Sequence, residues 1–307
     1  MDQNKNLFHE LLPIVLMGSL FVVIHFLALV LVWPFETAGM QAFEQVNDPI
    51  NLLFIFVIIL GVTITILLIS KFWKKKVIQF IILGAIGYTA FYVFTPILMI
   101  ILTWQIASII SALLAILLVV TLYKYPEWYV IDICGIIVGA GAIAIFGISL
   151  GIFLVIVLLI GLAVYDAISV YKTKHMIDLA DIVMDLKLPV LLVVPKIRYY
   201  SLIKETKSLK QKLKEDEERD AFFFGLGDIV IPGILVTASF RFIENGLPIA
   251  LSVIIGTLVG FVILMTFVIK GKPQAGLPCL GGGAIAGYLI SSYLLYGELV
   301  GLTLPTF

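Results

Sequence analysis

The chain has 307 residues, 62% of them hydrophobic and only 13% charged, with a mean hydropathy of +1.16. Soluble domains are nearer half apolar and a quarter charged, so this composition excludes a soluble globular protein and implies a polytopic membrane protein. Twenty basic and twenty acidic residues balance to zero net charge, so it is the placement of the charges that carries information.

The first apolar run, Leu11 to Trp33, is too long for a secretory h-region and lacks a small-residue cleavage site, so it reads as a first span. A bilayer core takes about 20 apolar residues per helix. By that measure the chain is an all-α protein with nine transmembrane helices, at 11–33, 50–70, 77–95, 98–122, 129–146, 148–171, 221–242, 248–269 and 278–296. Pro96 separates the third span from the fourth, and a very short link near Gly147 separates the fifth from the sixth. Lysine and arginine concentrate in cytoplasmic segments. With the N-terminus inside, nineteen of the twenty fall in the N-terminal tail and the loops near 71–76, 123–128, 172–220 and 270–277, leaving only Arg241 outside. The expected orientation is N-terminus cytoplasmic and C-terminus outside. The expected location is a multi-pass integral membrane protein, in the cell membrane if the source is prokaryotic.

These spans divide the chain into a six-helix part (1–171), a hydrophilic cytoplasmic loop (172–220) and a three-helix part (221–307). The second half of the loop, "KETKSLKQKLKEDEERD", is a dense mixed-charge run of the kind found in solvated helices and disordered linkers. Its first half contains "LPVLLVVP" at 188–195, too short to span a bilayer as a helix. It is expected at the interface or as a β-strand, and its valines favour the strand. Glycine pairs four apart occur at Gly135/Gly139, Gly147/Gly151 and Gly283/Gly287, and they permit close backbone approach between apolar helices. Packing inside the bundle is the simpler reading, and a homo-oligomer stays open. The two cysteines, Cys134 and Cys279, offer no disulfide framework or zinc-ligand spacing. Neither a glycine-rich phosphate loop nor a basic nucleic-acid-binding face is present.

Three carboxylates fall within or at the margin of apolar spans: Asp132, Asp166 and Asp228. Asp132 is expected close enough to the cytoplasmic edge to reach water, as a structural or interfacial charge. Asp166 lies six residues before Lys172, roughly 9 Å inside that boundary at helical rise. Asp228 follows Asp220 by eight residues, roughly 12 Å in by the same measure. Carboxylates in hydrocarbon cost about 2.5–3.5 kcal/mol on insertion scales and mark function by default. Here two arrive at similar depth on consecutive antiparallel helices. Such a pair shares a proton and titrates as a unit, supplying a base to activate water and an acid for a substrate carbonyl, as in aspartic proteases. Depth alone equally fits a cation channel or transporter lined by paired acids.

The surroundings favour proteolysis. Gly225 and Gly227 flank Leu226 just before Asp228, and glycine gives room for close backbone approach. Pro278 opens the ninth span within "QAGLPCLGGG" at 274–283, and a proline there withholds an N–H and leaves a carbonyl free.

"VYD" at 164–166, "GLGD" at 225–228 and "LPCL" at 277–280, in that order on spans six, seven and nine, resemble the presenilin and signal peptide peptidase family. "GLGDIVIPG" is similar to its peptidase branch, "YPEW" at 125–128 to its presenilin branch, and the compact nine-span plan to archaeal presenilin homologues. The resemblance implies an intramembrane aspartyl endopeptidase of the GxGD type, with Asp166 and Asp228 as the catalytic pair. It gives Tyr165 a supporting place beside Asp166 and makes Leu226 a substrate-facing residue. Pro278, Cys279 and Leu280 match the family's Pro-Ala-Leu motif, with cysteine in place of alanine. Presenilins are N-in, so the expected substrates are single-span proteins of type I orientation, met within the lipid bilayer. No metal or organic cofactor is expected, because acid and base are both side chains.

Overall fold

The computed structural model describes residues 2–72, 75–173, 189–197, 200–203, 220–269 and 274–303. Among these residues there are nine helices: α1 (Asp2–Thr37), α2 (Ile50–Phe72), α3 (Lys75–Met99), α4 (Trp104–Lys124), α5 (Trp128–Ser149), α6 (Ile152–Ile168), α7 (Leu226–Phe242), α8 (Leu247–Ile269) and α9 (Gly276–Tyr296). Seven of them are long and apolar enough to cross a membrane. The other two are α7, with 17 residues, and α2, whose described apolar stretch is Ile50–Thr65. Large apolar side chains such as Val30, Leu53, Ile116 and Leu294 stand exposed on the outer faces, as expected of helices that meet lipid rather than water.

The nine expected spans each find a helix, with shifted ends. Pro96 does not separate the third from the fourth, because α3 continues through it to Met99. The break between α5 and α6 falls at Leu150 and Gly151 rather than near Gly147. The largest correction concerns the seventh span. Residues Ala221–Gly225 form a strand, β2, and the helix begins only at Leu226. "AFFFG" is a short apolar run, and such runs do not declare helix or strand by periodicity. Its partner is β1 (Leu191–Pro195), the expected strand of "LPVLLVVP". The two pair antiparallel, with Leu192 opposite Phe224 and Val194 opposite Phe222. Apart from Asp220, the mixed-charge run at 204–220 lies outside the described residues.

The β1–β2 hairpin is built into the bundle rather than lying on its surface. Leu192, Val193 and Val194 are all buried. Phe224 meets Phe21 of α1 and Phe261 of α8 at ring-centroid distances of 5.0 and 5.8 Å, and Phe21 and Phe261 are themselves 4.7 Å apart. Aromatic contacts of this kind add roughly 0.5–1.5 kcal/mol each beyond area burial, and these three tie β2 to helices distant in sequence.

The glycine pairs all pack inside the bundle. A Cβ at Gly135 or Gly139 would meet Leu192 or Leu226, one at Gly147 would meet Thr237, and one at Gly283 or Gly287 would run into the backbone of α8. Thr237 also donates its hydroxyl to the Ile143 carbonyl at 3.0 Å. The glycines of α5 thus leave notches for α7 side chains, and those of α9 let its backbone meet that of α8 directly.

Candidate active site

Three helix ends converge on one spot. α6 delivers Asp166 in its last turn, 4% exposed, just before a π-helical turn at Ser169–Thr173. Single π turns occur often at functional positions. β2 hands the chain to α7, whose third residue is Asp228. A carboxylate there sits in the first turn, where unpaired N–H groups and the helix dipole favour negative charge. The third contributor is the N-terminus of α9, which begins at Gly276 after an extended Ala275.

α9 touches both carboxylates. The Leu277 N–H donates to Asp166 Oδ2 at 3.1 Å, and the Gly276 N–H is directed to the same carboxylate. The helix N-terminus thus receives an acid from another helix, as such ends commonly bind anions. Gly276 also packs on Asp228: an added Cβ would lie 2.5 Å from Asp228 Oδ2 and 2.9 Å from its Cγ. Both carboxylates thus lie against the first two residues of α9. The two carboxylates expected at matched depth do reach the same helix end, although the arithmetic behind that expectation assumed helix through 221–225. A strand rises about 3.3 Å per residue against 1.5 Å for a helix, so the spacing from Asp220 was underestimated. The hairpin brings Asp228 to the α6 end regardless.

The remaining expected site residues divide by position. A Cβ on Gly225 would lie 3.2 Å from Asp228 Oδ2, whereas one on Gly227 would meet nothing within 4 Å. Gly227 is thus the open face beside the carboxylates. Leu226 goes the other way. It is 8% exposed and packs against Gly135 and Gly139 of α5, so its side chain faces the core rather than outward. Tyr165 is 45% exposed, and among the described residues its hydroxyl has no hydrogen bond. Successive helical residues point about 100° apart, and Tyr165 accordingly leaves the side on which Asp166 is buried. Pro278 stands in the first turn of α9, where the hydrogen bond it forgoes is one to Gln274, ahead of the helix. Leu280 is fully buried, and the Cys279 carbonyl packs where a side chain on Gly260 would stand. Gly276 was not anticipated as a site residue, although its place directly before "LPCL" was a usable signal. Asp132 does not reach water. It is 6% exposed and accepts the Val193 N–H at 2.8 Å.

The family model for signal-peptide peptidase, presenilin aspartyl protease, matches residues 18–296. The chain belongs to this family. Two solved structures of a presenilin family intramembrane aspartate protease, in different crystal forms, are similar to it over most of its length. One is 34% identical, with 92% of this chain and 99% of that chain covered and a TM-score of 0.69. The other is 35% identical, with 92% and 98% covered and a TM-score of 0.69. No curated protein matches. With its apolar helices, this member of the presenilin and signal peptide peptidase family is a multi-pass integral membrane protein.

Proposed function

We infer that this chain hydrolyses peptide bonds inside the transmembrane helices of single-span, type I membrane proteins, with Asp166 and Asp228 as the catalytic pair. The observation that carries this reading is the meeting of Asp166, Asp228 and the Gly276–Leu277 backbone at three helix ends. In the singly protonated pair, one carboxylate takes a proton from water as the oxygen attacks the scissile carbonyl carbon. The other donates its proton to the carbonyl oxygen, giving a tetrahedral diol. The diol collapses with return of a proton to the departing amine, and the pair is regenerated. Pro278, Cys279 and Leu280 support this site through the backbone of the first α9 turn, and Gly225 and Gly227 keep its approach clear.

Substrate delivery has two supports. An apolar cleft of about 330 Å³ lies between α2, α3 and α5, lined by Val62, Ile78, Ile82, Ile86 and Val138. Ile78, Ile82, Ile86 and Val138 belong to the same apolar cluster as Val193, Ala221 and Phe223, so one continuous cluster runs from the cleft to the hairpin. A substrate helix lying there and unwinding at its end would have its backbone groups met by strand addition to β2 and by the opening of α9. The orientation, with the N-terminus cytoplasmic, is supported by the one outlying cation. Arg241 at the end of α7 pairs with Glu36 at the end of α1, so the exception to the charge rule is neutralised.

The test is cleavage of a single-span reporter by purified full-length protein and by Asp166→Ala and Asp228→Ala. Cleavage by the wild type alone supports the assignment. Aspartate-dependent ion flux without cleavage would instead support a channel or transporter.

A further inference from the structure

Two carboxylates near the start of α5 have no part in the proposed chemistry. Glu127, the glutamate of "YPEW", stands at the N-cap position with its side chain turned away from the helix's own N–H groups, and Asp132 lies five residues on. Glu127 Oε1 accepts the Ser201 hydroxyl at 2.7 Å, and its Oε2 accepts the Leu202 N–H at 3.1 Å. Asp132 Oδ1 accepts the Val193 N–H at 2.8 Å. The pair thus grips the chain within β1 and again beyond it.

The grip on β1 falls on its outer edge. Outside the strands the hairpin is closed by Leu226 N–H to Val190 C=O and by Lys196 N–H to Asp220 C=O. In an antiparallel pair, hydrogen-bonded and non-bonded positions alternate, so Leu192 and Val194 face β2 and Val193 faces away. Asp132 takes that outward N–H. On β2 the outward positions are Ala221 and Phe223, whose backbone groups meet no hydrogen-bond partner among the described residues. One edge of the sheet is closed by a buried carboxylate, and the other has no backbone hydrogen-bond partner among the described residues.

The grip also selects a register. A one-residue slip of β1 would exchange its two buried faces, which pack into different apolar clusters, Leu192 and Val194 in one and Val193 in the other. A two-residue slip in one direction would set Pro195, which has no N–H, before Asp132. Leu192 is fully buried and sits close to Gly135, where an added Cβ would lie 2.8 Å from its Cδ2.

We propose that Asp132 and Glu127 are positioning residues that hold the β1–β2 hairpin in a single register on α5, and thereby fix which substrate bond meets Asp228. The inference rests on the proposed proteolysis with strand addition at β2. Asp228 follows β2 by three residues while Asp166 stands on α6, so a slip of the hairpin carries the β2 edge and Asp228 together relative to Asp166. Because a strand repeats every two residues, a loosened hairpin presents substrate bonds two residues apart.

The experiment is cleavage of one single-span reporter by the full chain, with products mapped by mass spectrometry. Asp132→Ala is expected to lower kcat roughly ten- to a hundredfold, as loss of alignment does, with KM unchanged. Its cleavage sites should spread in two-residue steps. Asp132→Asn keeps an acceptor for Val193 and should restore the wild-type site. Glu127→Ala, at a half-buried position, serves as a second variant and should broaden the products in the same way. Amide exchange at Val193 should accelerate about tenfold or more in Asp132→Ala, a readout independent of turnover. An unchanged product set in both alanine variants, at whatever rate, overturns the proposal. Cleavage that survives Asp166→Ala would sink the dyad assignment instead and leave the register readout intact, so the two failures are separable.

Discussion

Replacing Gly276 by alanine puts one methyl group against the carboxylate of Asp228. The added Cβ would lie 2.5 Å from Oδ2, where ordinary contact begins at 3.4 Å, so the carboxylate or the α9 turn must retreat by the difference, about 0.9 Å. Retreat of the helix is opposed because the adjacent Leu277 N–H is held to Asp166 at 3.1 Å and Gly260 is packed on the Cys279 backbone. Most of the shift therefore falls on Asp228. Misplacing a reacting group by about 1 Å costs roughly a hundredfold in rate, or about 2.7 kcal/mol of barrier. Overpacking separately costs about 1–3 kcal/mol of stability. The assay is reporter cleavage with kcat and KM separated, alongside thermal unfolding. Gly276→Ala should lose about a hundredfold in kcat with little change in KM. The control is Gly282→Ala on the same helix, where an added Cβ meets nothing within 4 Å, and it should behave as wild type. A Gly276→Ala protein that folds and cleaves at the wild-type rate would refute the claim that Gly276 sets the carboxylate position.

Asp166→Asn and Asp228→Asn should each abolish cleavage while leaving the helices folded, since either removes one half of the acid–base pair; appreciable turnover by one mutant would take that residue out of the chemistry. Activity should follow a bell-shaped pH profile, lost at low pH where no carboxylate remains to act as base and at high pH where no proton remains to act as acid. A rate rising monotonically through the carboxylate range would contradict a shared proton. Gly227→Val should reduce cleavage with little loss of stability, because an added side chain meets nothing within 4 Å and would reach into the space proposed for substrate. Substrates carrying helix-loosening residues near the cut should be processed faster than polyleucine versions of matched binding, and equal rates would count against unwinding. Gly283→Val should destabilise the fold by roughly 1–3 kcal/mol or more in thermal unfolding, since its Cβ would strike the Gly256 carbonyl.

Membrane character and the number of spans were legible in the sequence because both depend on local quantities. Twenty apolar residues in a row are costly anywhere but in a bilayer or a core, whatever they pack against. Asp166 and Asp228 stood out for the same reason, since a carboxylate in an apolar run is expensive wherever the run ends up. "LLVVP" could be called a strand from its branched residues, but "AFFFG" could not. Its extended form depends on β1, some thirty residues earlier, and on Phe21 and Phe261 from distant helices. That strand in turn decided where α7 begins and how Asp228 reaches Asp166. Only the tertiary structure turned Leu226 into the core, because Gly135 and Gly139 of α5 leave the space it fills. The burial of Asp132 was likewise invisible, since its partner is an N–H on a strand in another part of the chain. So was the demand for glycine at 276, where two carboxylates from α6 and α7 crowd one helix N-terminus. Hydropathy and charge are summed along the chain, whereas a hydrogen bond or a close approach belongs to two segments at once, and only folding brings the second one in.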